Sequence, residues 1–138
     1  MRKIQNITDH SFKKYGTRID FTAKDGGSDF EIIISHETDP WRIAVLRVKD
    51  KAFTGLEKHP HSLETFEPLE GMCVLLLSDS TDKKDYEAFL LDQSVCLHKD
   101  IWHGIVTLTP ESKVKITENL TVETEYYKFD QPKEIVVD

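Results

Sequence analysis

The sequence has no excess of positive charge and no long apolar run. Its 138 residues include 18 Lys and Arg against 25 Asp and Glu, which gives a net charge of −7 at pH 7. That sign argues against nucleic acid or an anionic membrane surface as the main partner, because both attract basic patches. No apolar stretch approaches the roughly 20 residues that cross a bilayer. The first residues carry a basic end with no apolar segment behind it, so we expect a cytoplasmic protein without a secretory signal.

Cysteine, proline and glycine are also scarce. The two cysteines, Cys73 and Cys96, lack the close spacing of a zinc or redox pair. We therefore expect buried thiols rather than a disulfide. Five prolines and six glycines are too few for a flexible linker. Together with the length, these absences predict a single domain over residues 1–138.

Short segments of alternating polarity make up most of the chain. A short helix is predicted near the N terminus, where Thr8 or Asp9 can cap it and Gly16 can close it. A turn is predicted at residues 25–27, and the tail from Gln131 to Asp138 either adds an edge strand or stays loose. Strands are predicted at residues 18–21, 30–35, 41–48, 72–77, 87–91, 104–108, 114–117 and 121–129. Many short strands with little helix predict an all-β antiparallel sandwich or barrel.

Histidines concentrate the candidate chemistry. Residues two apart on an extended chain point to the same face, so His59 and His61 can enter one cavity, and Glu64 can join them if the chain bends. A second group contains His98 and His103. Two imidazoles, one carboxylate and a further imidazole from a distant strand would hold a divalent first-row ion. The alternative is that these are solvated side chains on the rim of a sheet, with Glu64 in a local acidic run.

The two histidine groups resemble a known pattern. The segment His59-x-His61-x2-Glu64-x6-Gly71 is similar to the first cupin motif, with one residue fewer between the second histidine and the glutamate. Asp100-Ile101-Trp102-His103 lies where the second cupin motif has Gly-x-x-His. This resemblance implies a double-stranded β-barrel, or jelly roll, with one short N-terminal helix.

Within the cupins the chain resembles the ureidoglycolate lyase family, over about residues 8 to 129. The matching segments are Leu56 to Pro60, Phe66 to Gly71 and His98 to His103. Family members release urea from ureidoglycolate and leave glyoxylate, late in purine (allantoin) breakdown, and they are cytoplasmic and usually dimeric. The chain departs from the family pattern at His61, at Glu64 and after His103.

The resemblance leads to a hypothesis for each site residue. His59, His61, Glu64 and His103 would hold a divalent metal, which would be Ni, Zn, Mn or Fe. His98 would act as a base or orient the substrate, with support of another site residue as the open alternative. Arg47 would pair with a substrate carboxylate, although an outward salt bridge is the open alternative for it.

The leading functional hypothesis is a metal-assisted lyase that acts on a small carboxylate substrate and forms a homodimer. One alternative is a cupin that binds a small anion or sugar acid without converting it. Another is a different metal-dependent cupin enzyme, such as an isomerase or an oxygenase.

Overall fold

Two β-sheets face each other and make up most of the molecule. The computed structural model describes residues 3–23, 27, 29–37, 39–80 and 85–134. In chain order the elements are β1 (Ile4–Gln5), α1 (Asp9–Phe12), β2 (Gly16–Arg18), β3 (Trp41–Val48), β4 (Ala52–Lys58), β5 (Glu64–Glu70), β6 (Cys73–Ser78), β7 (Glu87–Leu91), β8 (Val95–Leu97), β9 (Trp102–Thr107), β10 (Ser112–Asn119) and β11 (Glu125–Glu134).

Strands from distant parts of the chain alternate within both sheets. The six-stranded sheet has the order β1-β7-β6-β9-β4-β11, and the five-stranded sheet has the order β2-β8-β5-β10-β3. All described pairings are antiparallel except that of β1 with β7. This arrangement confirms the predicted all-β fold of the cupin type with one short N-terminal helix.

Helix α1 begins as the sequence predicts and ends earlier. The Thr8 hydroxyl accepts a hydrogen bond from the Ser11 amide at 2.9 Å, and the Ser11 hydroxyl accepts one from the Thr8 amide at 3.0 Å. The helix ends at Phe12, so the prediction that Gly16 closes it was wrong. Gly16 instead opens β2, where a side chain would collide with the Cys96 carbonyl. No helix in the described part of the chain has the length and hydropathy that a membrane crossing requires.

Most predicted strands are present, with shifted ends. The exceptions are residues 30–35, which form no strand, and residues 18–21, of which only Arg18 lies in one. The turn predicted at residues 25–27 falls largely outside the described residues, as does the tail beyond Glu134. Four strands were missed, namely β1, β4, β5 and β8. Of these, β4 and β5 carry residues of the site described below.

Apolar side chains cover both faces of β6, so the core has two layers. Leu75 and Leu77 pack between the two sheets, and Val74 and Leu76 pack on the opposite face of the six-stranded sheet. All four side chains are fully buried, which explains why β6 reads as a continuous apolar run. The two cysteines are buried and unpaired, and burial raises the pKa of the Cys96 thiol to about 11.

Candidate metal centre

Strand register brings five polar side chains together inside the barrel. Glu57 on β4 lies opposite His103 on β9, and Glu64 on β5 lies opposite Glu118 on β10. His59 follows the end of β4 and shares the face of Glu57, because residues two apart in an extended chain point the same way. All of these side chains except Glu57 are buried. We refer to Glu57, His59, Glu64, His103 and Glu118 as the His/Glu cluster.

The functional atoms of the cluster converge on one small volume. The Glu64 Oε1 atom lies 3.1 Å from the Nε2 atom of His103 and 3.5 Å from that of His59. The Glu57 Oε1 atom lies 3.5 Å from the Nε2 atom of His103 and 3.9 Å from that of His59. The Glu118 Oε1 atom is 3.9 Å from the His59 Nε2 atom. Both imidazoles therefore present their Nε2 atoms to the carboxylates.

Backbone carbonyls fix the orientation of both imidazoles. The Nδ1 atom of His59 lies 3.2 Å from the Glu123 carbonyl and 3.1 Å from the Thr124 hydroxyl. The Nδ1 atom of His103 lies 3.0 Å from the Ile101 carbonyl. A ring nitrogen that faces a carbonyl donates its N–H, so the Nε2 atom of the neutral ring keeps its lone pair. Metal-binding histidines are held in the same way.

The carboxylates dominate the electrostatics of the cluster. Burial lowers the pKa of His103, but the charge of Glu64 and the close contacts with the Glu57 and Glu64 carboxylates outweigh burial and raise the pKa to about 10. The neighbouring His103 in turn lowers the pKa of Glu57. Burial and the nearby Glu64 raise the pKa of Glu118, against the opposing effect of Arg42. The cluster thus favours bound positive charge, whether that charge is a proton or a cation.

The donor atoms of the cluster fit a divalent ion. The Glu64 Oε1 and His103 Nε2 atoms lie close together, yet neither they nor the Glu118 Oε1 atom makes a hydrogen bond of good geometry. Buried polar atoms of this kind destabilise a fold unless something binds them. Two overlapping triplets, Glu57-His59-His103 and His59-Glu64-Glu118, each place one donor atom per residue within 4.8 Å of the others. Imidazole nitrogen with carboxylate oxygen is a donor set that Zn, Mn, Fe and Ni accept.

The structure brings three of the four predicted ligands together. His59, Glu64 and His103 belong to the cluster, whereas His61 does not. The chain turns at Pro60 and His61, so the alternation of an extended strand does not apply there. The His61 side chain is 76% exposed, and its Nε2 atom lies 3.4 Å from a Glu123 carboxylate oxygen.

Neither of the two residues predicted to act on the substrate belongs to the cluster, although His98 borders a small recess that His59, Glu64 and His103 also line. Arg47 is on the exposed face of β3 and donates to the Glu111 carboxylate at 2.5 Å, which is the outward salt bridge left open by the sequence. His98 is exposed, and its Nε2 atom lies 3.1 Å from the Lys13 carbonyl. Its ring is therefore oriented by a backbone group near the end of α1.

Two members of the cluster were missed at the sequence level. Glu57 could have been found, because it lies two residues before His59 and so shares its face. Glu118 gives no such signal. Its position depends on the pairing of β10 with β5, which joins residues 54 positions apart in the chain.

A cavity of about 390 Å³ opens onto the cluster. Glu57, Glu64 and His103 line its polar side. Apolar side chains line the rest of its inner wall, and three residues of β11 stand at one side. The apolar and β11 lining residues include Leu46, Phe66, Ile105, Ile116, Tyr126, Tyr127 and Lys128.

Comparison with solved structures finds matching chains at low identity. A TDP-quinovose 3,4-ketoisomerase from Campylobacter jejuni is 16% identical, with a TM-score of 0.48, over 68% of this chain and 69% of that one. A variant of oxalate decarboxylase from Bacillus subtilis is 16% identical, with a TM-score of 0.49, over 65% of this chain and only 24% of that one. A dTDP-4-dehydrorhamnose 3,5-epimerase from Bacillus anthracis is 19% identical, with a TM-score of 0.46, over 72% and 62%.

Comparison with curated proteins finds no match. The family model described as ureidoglycolate lyase matches residues 46–136, about two thirds of the chain. That range includes every member of the His/Glu cluster and all the residues of the cavity named above. The chain belongs to the ureidoglycolate lyase family.

Proposed function

We propose that this protein is a metal-assisted lyase that cleaves ureidoglycolate into urea and glyoxylate, in the cytoplasmic breakdown of allantoin. The observation that carries the proposal is the His/Glu cluster, which lies beside a cavity in a member of this family. The cavity is large enough for a small hydroxy acid and is lined by both polar and apolar groups.

The buried members of the cluster would hold the ion. His59 and His103 offer oriented Nε2 atoms, and Glu64 offers an oxygen with no other partner. A divalent ion at this position would polarise the hydroxyl and carboxylate oxygens of the substrate and lower the pKa of the hydroxyl.

Glu57 is the member of the cluster best placed to move the proton. The reaction removes the hydroxyl proton of a hemiaminal, converts the C–O bond to C=O, breaks the C–N bond and returns a proton to the departing nitrogen. Glu57 is only half-buried and faces the cavity, and the closeness of His103 lowers its pKa. It is therefore ionised at neutral pH and can carry the proton from oxygen to nitrogen, a role typically worth about 10²–10⁴ in rate.

The test combines elemental analysis of the purified chain with a urea-release assay on ureidoglycolate. Glu57→Gln is expected to keep its bound ion and to lose about 10²–10⁴ of kcat. Glu70→Gln is the matched control, because Glu70 is exposed and pairs with Lys113 on the outer face of the five-stranded sheet. Absence of urea release by the ion-loaded chain would overturn the proposal. Thermal stabilisation by glyoxylate without urea release would favour the binding-protein alternative.

A further inference from the structure

Strand β11 presents two polar side chains to the mouth of the cavity. Tyr126 lies opposite Glu57 in the β4–β11 pairing, and Lys128 lies opposite Gly55. Directly paired residues share a face of the sheet, so Tyr126 and Lys128 are on the face that carries Glu57. Both residues line the cavity.

The neighbouring residues of β11 support this orientation. Tyr127 also borders the cavity, but its ring packs edge-on against that of Phe129, with ring centroids 5.6 Å apart. Gly55 lets the two strands approach closely, since a side chain there would collide with the Tyr127 carbonyl. The backbone thus holds Tyr126 and Lys128 beside the cavity.

Lys128 supplies positive charge to a cavity that is otherwise acidic. It is the one Lys or Arg among the described residues that line the cavity. Other nearby cations are engaged: Arg42 binds Glu118, and the Lys58 ammonium lies 3.0 Å from Asp100 and over the Trp102 ring. Lys128 makes no ion pair within the part of the chain that the structure describes. Its ammonium is available to an anion that enters the cavity.

We propose that Lys128, assisted by the Tyr126 hydroxyl, binds the carboxylate of the substrate and selects small 2-hydroxy acids. The inference rests on the proposed function. In this arrangement the carboxylate of the substrate contacts β11, and the hydroxyl-bearing carbon lies over Glu57. It assigns to Lys128 the part that the sequence had suggested for Arg47. Lys128 is thus a specificity residue on the strand that closes the cavity.

The kinetic test compares Lys128→Gln with Lys133→Gln. Lys133 lies on the same strand, but its ammonium lies 5.6 Å from the centroid of the Phe129 ring, away from the cavity. Loss of a charge-assisted contact is expected to raise KM for ureidoglycolate by about ten-fold or more, with kcat nearly unchanged. Lys128→Arg is expected to recover most of the loss, and Lys133→Gln to leave KM unchanged.

A binding measurement separates this inference from the proposed function. Titration calorimetry is carried out with glyoxylate and with uncharged glycolaldehyde. Lys128→Gln is expected to weaken the binding of glyoxylate and to leave the binding of glycolaldehyde unchanged. If the parent chain releases no urea but binds glyoxylate through Lys128, the lyase fails and the anion site stands. If urea is released and Lys128→Gln leaves both KM and glyoxylate binding unchanged, the anion site is overturned and the lyase stands.

Discussion

Glu64 and Glu118 face each other across the pairing of β5 with β10, and each keeps one buried carboxylate oxygen without a hydrogen-bond partner. Two carboxylates so placed repel each other, and burial adds a desolvation cost. A bound cation would remove both costs.

The first prediction is therefore that a divalent ion stabilises the fold. Chelator-treated protein should unfold at a lower temperature than protein with Mn²⁺, Zn²⁺ or Ni²⁺, by several degrees. An ion present at 100 times its Kd contributes about 2.7 kcal/mol to the free energy of unfolding. Differential scanning fluorimetry measures the shift, and a His59→Ala, His103→Ala double variant should show none. An equal shift in that variant would place the ion elsewhere.

The second prediction concerns Arg42, which fixes the outer oxygen of Glu118. The Arg42 Nε and Nη2 atoms lie 3.1 and 2.6 Å from the Glu118 Oε2 atom, which leaves Oε1 directed at the cluster. Arg42→Gln should lower the free energy of unfolding by about 1–2 kcal/mol, since Glu118 is buried and Arg42 is partly exposed. In a Glu118→Gln background, Arg42→Gln should lower the free energy of unfolding by much less. Denaturant titrations of the four proteins measure this coupling.

Arg47→Gln is the control for that cycle. Arg47 lies on the same strand but pairs with Glu111 at the surface, where an ion pair typically contributes about 0–1 kcal/mol. If Arg42→Gln lowered the free energy of unfolding by as little as Arg47→Gln, the prediction that Arg42 fixes the position of Glu118 would be wrong.

The third prediction separates the histidines by their position. His59→Ala and His103→Ala should lose the bound ion, whereas His61→Ala and His98→Ala should keep it, because the last two rings are exposed and face other groups. Elemental analysis after desalting gives the ratio of ion to chain. Loss of the ion in His61→Ala would mean that the turn at Pro60 rearranges when the ion binds.

The fourth prediction concerns alkaline pH. Burial, and then a hydrogen bond from its hydroxyl to Glu87, raises the pKa of Tyr15 above its ordinary value of 10.0. The stabilisation of the folded chain by protonated Tyr15 is complete below pH 10. It is lost as the pH rises above 10, because the phenol of the unfolded chain then loses its proton first. Tyr15→Phe should lose less stability than the parent chain between pH 8 and pH 11. Urea denaturation measures this slope, and an unchanged slope in Tyr15→Phe would contradict the prediction.

The fifth prediction is that the protein forms a homodimer through β3. It lies at the edge of the five-stranded sheet, and Trp41, Ile43 and Val45 share one exposed face of it. An exposed apolar edge strand is a template for pairing with another chain, and the second copy would pair through the same strand. Ile43→Lys should convert a dimer to a monomer in light scattering. A monomeric parent chain would contradict this prediction.

The sequence predicts the fold well where side chains follow the hydrophobic pattern. The apolar run of β6 and the alternation in β3 both appear as strands. In β5 the inward positions include Glu64 beside Phe66, and in β4 they include Glu57, so a polar residue occupies a place that the pattern reserves for an apolar one. These strands were missed because they carry the site.

The prediction of the site residues was likewise limited by features that are not local in the sequence. His59, Glu64 and His103 could be predicted, since their motifs are local. The exclusion of His61 depends on a turn of two residues, and the inclusion of Glu118 depends on the pairing of distant strands. Neither relationship is encoded in spacing along the chain.

The bonds from His59 to Glu123 and Thr124 connect the centre to the segment that leads directly into β11. The ring that would hold the ion and the strand that would hold the anion are therefore mechanically linked. Binding of the ion should slow amide hydrogen exchange in β11, and binding of the anion at β11 should slow it around His59. Shortening the segment between β10 and β11 should weaken the binding of both the ion and the anion.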